Sequence, residues 1–460
     1  LSVDDGHDEL LTGWGRTSPT RATVRSPRRI DDVVGCVTNA TRRGVIARGL
    51  GRSYGDAAQN AGGDVLLCTS LDQVLALDVE KGTCDVEAGV SLDTLMRVLL
   101  PLGWFPMVVP GTRFVTIGGA IASDIHGKFR HGSFANYVTR LQVVTPEHGA
   151  ITVAPDADAD AFWATAGGMG LTGVVTQASL QLQPVETSRM VVDTERARDL
   201  EDCMDRMLRS DDRYRYSVAW IDCLASGSSL GRSVLTRANH ATLDELAPAQ
   251  RATAREFAPR TLVPTPPWLP GGLLNNVSVR AFNEVWFRKS PRERRGEVQT
   301  ITQFFHLLDF VSGWNRIYGP RGFVQYQFVV PYGSEPVVRD ALERLSAARC
   351  ASFLAVLKRF EHDSRALLGF PVRGWTLALD IPAAGGELTT LLDDLDQLVA
   401  AAGGRVYLTK DSRMRPELLS TMYPDLDDWR ETRATLDPRG VMCSDMDRRL
   451  GLTGDTRRRS

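Results

Sequence analysis

Glycine is concentrated in three short segments between Arg48 and Val175, and their contexts restrict the fold more than any other feature of the chain. The first, Arg48-Gly49-Leu50-Gly51-Arg52-Ser53-Tyr54-Gly55-Asp56, directly follows an apolar run, Val45 to Ala47, that reads as a short strand. Glycines there let the backbone turn with positive φ and approach a ligand closely, so that successive N–H groups point at one anion. The second runs from Pro110-Gly111-Thr112-Arg113 through Thr116 to Ser123 and supplies small residues that let a helix start sit against a phosphate or a flat ring. The third, Gly167 to Val175, contains Gly168-x-Gly170-x-x-Gly173, the spacing of a dinucleotide-binding turn. That turn must follow a strand and open a helix, whereas Val174 to Leu182 alternates apolar and polar as a strand does. The first cluster spaces its glycines as Gly49-x-Gly51-x-x-x-Gly55, with no helical period after it. A Rossmann turn is therefore excluded at both places. Each cluster alone has a plainer reading, a tight surface loop or close helix–strand packing; together they point to a different nucleotide-binding architecture.

Around these clusters the chain is ordinary in composition. It has 460 residues, 43% hydrophobic and 24% charged, which fits two or three folding units with substantial cores. Lys+Arg (54) and Asp+Glu (56) nearly balance, which argues against a nucleic-acid partner bound by phosphate neutralisation. Seven dispersed cysteines without a CxxC pair read as reduced thiols of a cytosolic protein, with neither a disulfide framework nor a metal site. No signal peptide is visible in the first thirty residues, and the longest apolar run, Val98 to Val109, is broken by Pro101 and Pro106 and too short to span a bilayer.

Cys84 to Val90 alternates with period two and predicts a strand; Ser91 then caps a helix carrying Leu92, Leu95, Met96, Leu99 and Leu100, which Pro101 and Gly103 stop. Beyond Gln183 glycine thins out, helices are expected over Thr194 to Arg209 and Val337 to Ala348, and strands become richer in aromatics. The proline-rich stretch from Ala258 to Gly272 reads as a long loop with the character of a lid. Arg405 to Leu408 is strand-like, and the basic Arg457-Arg458-Arg459 reads as a frayed terminus.

The clusters, together with Thr12-Gly13-Trp14-Gly15-Arg16, Ser123-Asp124-Ile125-His126-Gly127-Lys128, Gln325-Tyr326-Gln327-Phe328, Lys410-Asp411-Ser412-Arg413 and Ser444-Asp445-Met446, resemble the vanillyl-alcohol-oxidase superfamily of PCMH-type FAD enzymes. Within it they resemble the actinobacterial oxidases of polyprenylphosphoryl ribose, from about Thr12 to Leu450. The resemblance implies an α+β, two-domain flavoprotein. Its FAD-binding domain is split between residues 5–188 and 405–460, around a substrate-binding domain of sheet and helices over 189–404. It implies an FAD site lined by Ala47, Arg48, Gly49, Leu50, Gly51, Arg52, Ser53, Tyr54, Gly55, Asp56, Ala57, Gly111, Thr116, Ile117, Gly118, Gly119, Ser123, Asp124, Ile125, His126, Val175 and Tyr407. Covalent members of the superfamily usually attach the flavin through a histidine in the first cluster; Tyr54 stands near that place, so non-covalent FAD is expected. The implied reaction is oxidation of the 2′-hydroxyl of a polyprenylphosphoryl-β-D-ribose, the first half of an epimerisation that makes the arabinose donor for the cell wall. A separate short-chain NAD(P)H-dependent reductase would complete it, a quinone is the implied electron acceptor, and the lipid-linked substrate implies peripheral contact with the plasma membrane.

Hydride transfer from a secondary alcohol leaves a hydroxyl proton to be taken, and Lys410, just past Tyr407, is the candidate catalytic group, with its pKa lowered by burial. Its plainer reading is a surface pair with Asp411. Gln327 is expected as a neutral donor to sugar hydroxyls or flavin, and strand alternation sets Gln325 beside it on one face, opposite Tyr326 and Phe328. The aromatic stretch Phe304 to Phe328 reads mostly as core, with a share lining a groove for a lipid tail; Lys358 and Arg316 are candidate cations for the phosphate. Phe305, Thr376 and Ala378 stand where the resembling mycobacterial enzymes carry Tyr, Asn and Cys. The cysteine is the site captured by mechanism-based nitroaromatic inhibitors, so this chain is expected to resist such trapping, and its altered contacts leave room for another sugar. The competing readings are an oxidase of a soluble sugar, alditol or aldonolactone, and a non-catalytic nucleotide-binding protein.

Overall fold

The computed structural model describes residues 6–260, 263–266, 272, 274–383 and 385–454. Three main sheets carry the chain, and their order follows from where the apolar periods fall. The first has the strand order His7–Leu11, Thr20–Arg25, Asp64–Leu67, Val45–Arg48, with the last three parallel. Helix Ile30–Thr38 makes the crossover and buries Val33, Cys36 and Val37 against Val45 and Leu66.

The second sheet, over residues 74–184, is antiparallel, with the long strand Val174–Pro184 at its centre. The alternation after the third glycine cluster is thus a strand, as read. Ser91 caps helix Leu92–Leu99 by accepting from the Thr94 N–H (3.0 Å), and the chain leaves it through a short 3₁₀ turn that ends on Gly103 at φ +83°.

The largest sheet has eight strands in the order Glu293–Thr300, Arg189–Ala197, Ser233–His240, Tyr216–Ile221, Ala355–Phe360, Gly374–Pro382, Phe323–Pro331, Arg405–Val406. Its two faces separate by strand period. Ala219, Leu357, Leu377, Leu379, Tyr326 and Phe328 pack into the core beneath helices Glu335–Ala347 and Gly386–Ala401, whereas Trp220, Val356, Lys358, Gln325, Gln327 and Ala378 face a cavity. Helix Glu335–Ala347 covers the expected position. The helix expected from Thr194 begins only at Leu200, capped by Asp199, because Thr194 to Ala197 continues the strand Arg189–Ala197. The misleading residue is Glu195. It is buried, and its carboxylate is held by Arg237 and by Arg206 (2.7 Å), so a charged side chain occupies an inward-facing strand position.

The last fifty residues return to the first and second sheets. Trp429 is fully buried and its Nε1 donates to the Ala164 carbonyl (2.9 Å); Met442 bridges Val45; Thr20 Oγ1 donates to Asp445 (3.0 Å). Residues 261, 262 and 267–271 of the expected proline-rich loop and all of Arg457 to Arg459 lie outside the described residues; within that loop Val263–Pro264 pairs with Val311–Ser312. The seven cysteines are all free and buried. No described helix is long and apolar enough to cross a membrane, and no described cluster of His, Cys, Asp or Glu could hold a metal.

Candidate active site

The strand Val45–Arg48 ends at the first glycine cluster, whose next residues run along one wall of a cavity of about 430 Å³. Among the described residues, the backbone N–H groups of Leu50, Gly51, Arg52 and Ser53 donate to nothing in the protein. Gly51 turns the chain at φ +64°, and a Cβ on Gly49 would lie 2.2 Å from Thr116 Oγ1, so larger residues would close the cradle. On the facing wall Thr116 accepts from the Gly119 N–H (3.2 Å) and starts the short helix Ile117–Ala122. Gly118, Gly119 and Ala122 line the cavity there, and a Cβ on Gly111 would meet only open space. Free amides, the terminal nitrogens of Arg52 and a wall without side chains are the donor set that a pyrophosphate joined to a flat ring requires, so these residues fit FAD; Arg48 instead braces the cradle by donating to the Ala58 (2.9 Å) and Thr12 (2.7 Å) carbonyls.

Past this cradle the cavity becomes polar. Thr376 Oγ1 donates to the Phe328 carbonyl (2.8 Å), so it must accept from Gln327 Nε2 (3.2 Å). The same Nε2 lies 2.9 Å from His126 Nε2, while His126 Nδ1 faces the Gly127 carbonyl at 3.2 Å. This pattern makes His126 a neutral imidazole protonated on Nδ1; burial, helped by Lys358, holds its pKa well below the usual histidine value. It also commits both amide hydrogens of Gln327. The free Oε1 faces the cavity, so Gln327 offers an acceptor where a donor was expected.

Lys410 follows the strand Arg405–Val406 on a turn closed by its N–H to the Tyr407 carbonyl (2.9 Å). Its Nζ lies 3.8 Å from the centroid of the Tyr54 ring. The alternative pairing with Asp411 is absent: that carboxylate accepts from Arg449 (2.8 Å) and from the N–H groups of Arg413 and Met414. Burial, opposed by Asp380 and assisted by Lys358, brings Lys410 down to about 7. Lys358 reaches to 3.4 Å from His126 Nδ1 and is lowered to about 8 by burial. Lys128 donates to the Phe304 carbonyl (2.8 Å), sits over the Phe304 and Phe305 rings, and is lowered to about 7 by burial and by Lys358. Three lysines therefore line one end of the cavity, each held toward neutrality by the lack of solvent.

Of the residues expected at the cofactor, Ala47, Arg48 to Tyr54, Ala57, Gly111, Thr116, Gly118, Gly119, Ser123, Ile125, His126, Val175 and Tyr407 line the cavity. Four stand behind its wall. A Cβ on Gly55 would sit 2.0 Å from the Asp411 carbonyl, Asp56 is paired with Arg449, Ile117 is core, and Asp124 is fully buried among Ser133, Ser364 and the Ala135 N–H. On the substrate side Phe305, Gln325, Gln327, Lys358, Ala378 and Lys410 line the cavity. Thr376 is fully buried behind it and acts on Gln327. Arg316, expected as a phosphate cation, is not in the wall; its guanidinium donates to the Thr265 carbonyl (3.2 Å). Of the aromatic stretch, Phe304, Phe305 and Trp314 reach the cavity.

Two residues were missed. Lys128 ends the Ser123–Lys128 motif, and its signal is a lysine two residues beyond His126. Asp380 is fully buried, accepts from Gln325 Nε2 through Oδ1, and leaves Oδ2 without a partner. Its signal was an acid inside the apolar run Trp375 to Ile381.

A family model for an FAD binding domain matches residues 22–154, and one for D-arabinono-1,4-lactone oxidase matches residues 386–450. The chain is 42% identical over 453 residues to a decaprenylphosphoryl-β-D-ribose oxidase of Mycolicibacterium smegmatis, covering 96% of this chain and 97% of that protein. It is 30% identical over 202 residues to cytokinin dehydrogenase 4 of Oryza sativa, a match confined to 40% of this chain and 37% of that one. With the FAD-type cradle, the lysine-lined cavity and near-complete coverage in agreement, the chain belongs to the decaprenylphosphoryl-β-D-ribose oxidase family of FAD-dependent oxidoreductases.

Proposed function

We propose that this chain oxidises the 2′-hydroxyl of a polyprenylphosphoryl-β-D-ribose to the 2′-keto sugar. The observation that carries the reading is one continuous cavity with three kinds of wall. It has a cradle for FAD, a polar end with Lys410, Lys358, Lys128 and the Gln327 oxygen, and an apolar flank of Trp220, Val356, Trp286 and Leu308. When bound, FAD supplies the acceptor for the hydride. Lys410 takes the hydroxyl proton, Gln327 Oε1 orients a neighbouring sugar hydroxyl, and Lys358 with Lys128 meets the phosphate. The apolar flank receives the first isoprene units and keeps water from the lysines, which sustains their lowered pKa values.

The flavin is held without a covalent bond. His126 has both ring nitrogens engaged, and the thiol in the wall, Cys68, is pushed up to about 12 by burial. The same reading takes residues 5–188 and 405–460 as the two parts of the FAD domain around 189–404, and a separate NAD(P)H-dependent reductase and a quinone as partners. The match of residues 386–450 to an aldonolactone oxidase favours a soluble lactone as the second reading. The test is the anaerobic visible spectrum of the purified protein before and after a short-chain polyprenylphosphoryl ribose. Flavin bands that bleach are expected. Bands that bleach only with soluble aldonolactones would transfer the assignment to that class.

A further inference from the structure

Helix Asn276–Lys289 turns two unlike faces outward and inward. Inward, Val279 and Asn283 are buried, Asn283 donates to Asp222 (2.7 Å), and Trp286 enters the cavity wall. Outward, Val277 (80% exposed), Ala281 and Val285 (63% exposed) follow one another at four-residue spacing in solvent, with Phe282 (43%) beside them. Lys289 continues this row at its C-terminal end, and the neighbouring row along one edge carries Arg280, Glu284 and Arg288. The helix's one carboxylate, Glu284, is taken up by Arg232 (2.6 Å) and Arg288, so the face carries a net positive charge. Leu307 (54%) and Val311 (41%) are also exposed, on the segment that lines the same cavity through Leu307 and Leu308.

Single exposed apolar residues are ordinary on any protein. Here five of the thirteen large ones among the described residues fall on the two segments that flank one cavity. An apolar stripe with one basic edge and a basic end matches the boundary layer of a bilayer: the valines and the phenylalanine enter the acyl region while arginine and lysine stay with the headgroup phosphates. A cavity with lysines at one end and an apolar flank that opens beside this helix can then receive a lipid phosphate without lifting its chain through water. We infer that the exposed face of helix 276–289, together with the exposed Leu307 and Val311, docks on an anionic lipid bilayer and feeds the cavity from it. The inference rests on the reading that the substrate is lipid-linked.

The test is flotation of the FAD-loaded full chain with phosphatidylcholine vesicles, with and without phosphatidylglycerol. Binding to the anionic vesicles is expected. Arg280→Gln with Lys289→Gln should weaken it about fivefold per residue and erase the preference for phosphatidylglycerol. Val277→Asp with Val285→Asp should weaken it about tenfold or more, with unchanged melting, flavin content and turnover of a short-chain substrate in solution, and slower turnover of a long-chain substrate in vesicles. A wild-type chain that oxidises the short-chain substrate but ignores both kinds of vesicle overturns the docking surface and leaves the proposed reaction standing. Vesicle binding that depends on these valines, in a protein that oxidises no polyprenylphosphoryl ribose, supports the surface and defeats the proposed reaction. Valine variants that melt early, or that split a dimer, without any effect on vesicles mean that the face is covered by the chain itself or by a second copy, and the inference fails.

Discussion

Replacing Lys410 by Met removes the group proposed to take the hydroxyl proton and leaves an apolar side chain of similar length over the Tyr54 ring. An ordinary lysine, with a pKa near 10.4, is neutral in about one molecule in 2,500 at pH 7. Lowered to about 7, Lys410 is neutral in about half of them at that pH, a gain in active base of roughly a thousandfold. Loss of a positioned general base costs about 10² to 10⁴ in rate. The rate of flavin bleaching, followed anaerobically by stopped flow, should therefore fall by that factor in Lys410→Met. The wild-type rate should rise with pH through about 7, because the base works when neutral, and the residual rate of the variant should be flat over the same range. Stability provides the control. A buried lysine with a lowered pKa binds fewer protons folded than unfolded between about pH 7 and 10.4, so over that window it makes the fold less stable the lower the pH. Lys410→Met should accordingly melt no lower than wild type at pH 7. Lys410→Arg keeps a charge but cannot give up a proton, so it should be as slow as the methionine variant. Full bleaching rates in Lys410→Met with normal FAD content would refute the base assignment, and an active Lys410→Arg would reduce the residue to a cation that stabilises the alkoxide.

Asp380 opposes the lowering of Lys410, so Asp380→Asn should move the inflection of the bleaching rate to lower pH while FAD binding is retained. Thr376→Val removes both the acceptor that fixes the Gln327 amide and the donor to Phe328. It should cost about 1–3 kcal/mol in urea unfolding and raise KM more than it lowers kcat, as the Gln327 oxygen loses its orientation. Ala378 lines the cavity opposite Gln327 in strand register, so Ala378→Leu should block substrate, with KM rising at least about tenfold. Arg449 ties Asp56 to Asp411, which is held below its ordinary value by Arg449 and two backbone N–H groups despite burial. Asp411 therefore contributes stability at neutral pH that is lost as pH falls below about 4. Arg449→Met should cost about 3 kcal/mol, raise the midpoint of acid unfolding and weaken FAD retention, read by flavin fluorescence after gel filtration.

Local chemistry was legible wherever it is written in short range. The glycine cradle, the Ser91 cap, the strand after Gly173 and the alternation that turns Gln325 and Gln327 to one face all follow from spacing alone, and the structure has them there. What escaped depended on partners far off in sequence. Glu195 looked like the start of a charged helix because Arg237, its partner across the strand pair, is 42 residues away. Gln327 looked like a donor because its commitment to His126 and Thr376 requires three segments to meet. Asp380 and Lys128 were visible as residues but had no chemical meaning until burial, which a single sequence does not display, removed the water around them.

The same separation in sequence explains how the site is kept intact. The amides that fit the pyrophosphate belong to residues 50–53, whereas the proposed base is residue 410, and they are joined by few bonds. The Tyr54 N–H donates to the Thr409 carbonyl (2.9 Å), the Tyr54 ring lies under Lys410 Nζ, and Arg449 clasps Asp56 and Asp411 together. Tyr407, two residues before Thr409, donates from its hydroxyl to the Ser123 carbonyl (2.8 Å) at the end of the small-residue helix. Each wall of the cofactor cradle is thereby bonded to the turn that carries the base. A ligand that draws the two walls together also fixes Lys410 over Tyr54, and a base that wandered would loosen the cradle. Binding and positioning are thus one equilibrium, in which a ligand favours the state to which it binds best. FAD should therefore raise the melting temperature of wild type and of Lys410→Met alike, because the methionine keeps the backbone bonds of the turn. In Arg449→Met, where the clasp is gone, the gain from FAD should be smaller at the same FAD concentration, since part of its binding free energy is spent on closing the cradle.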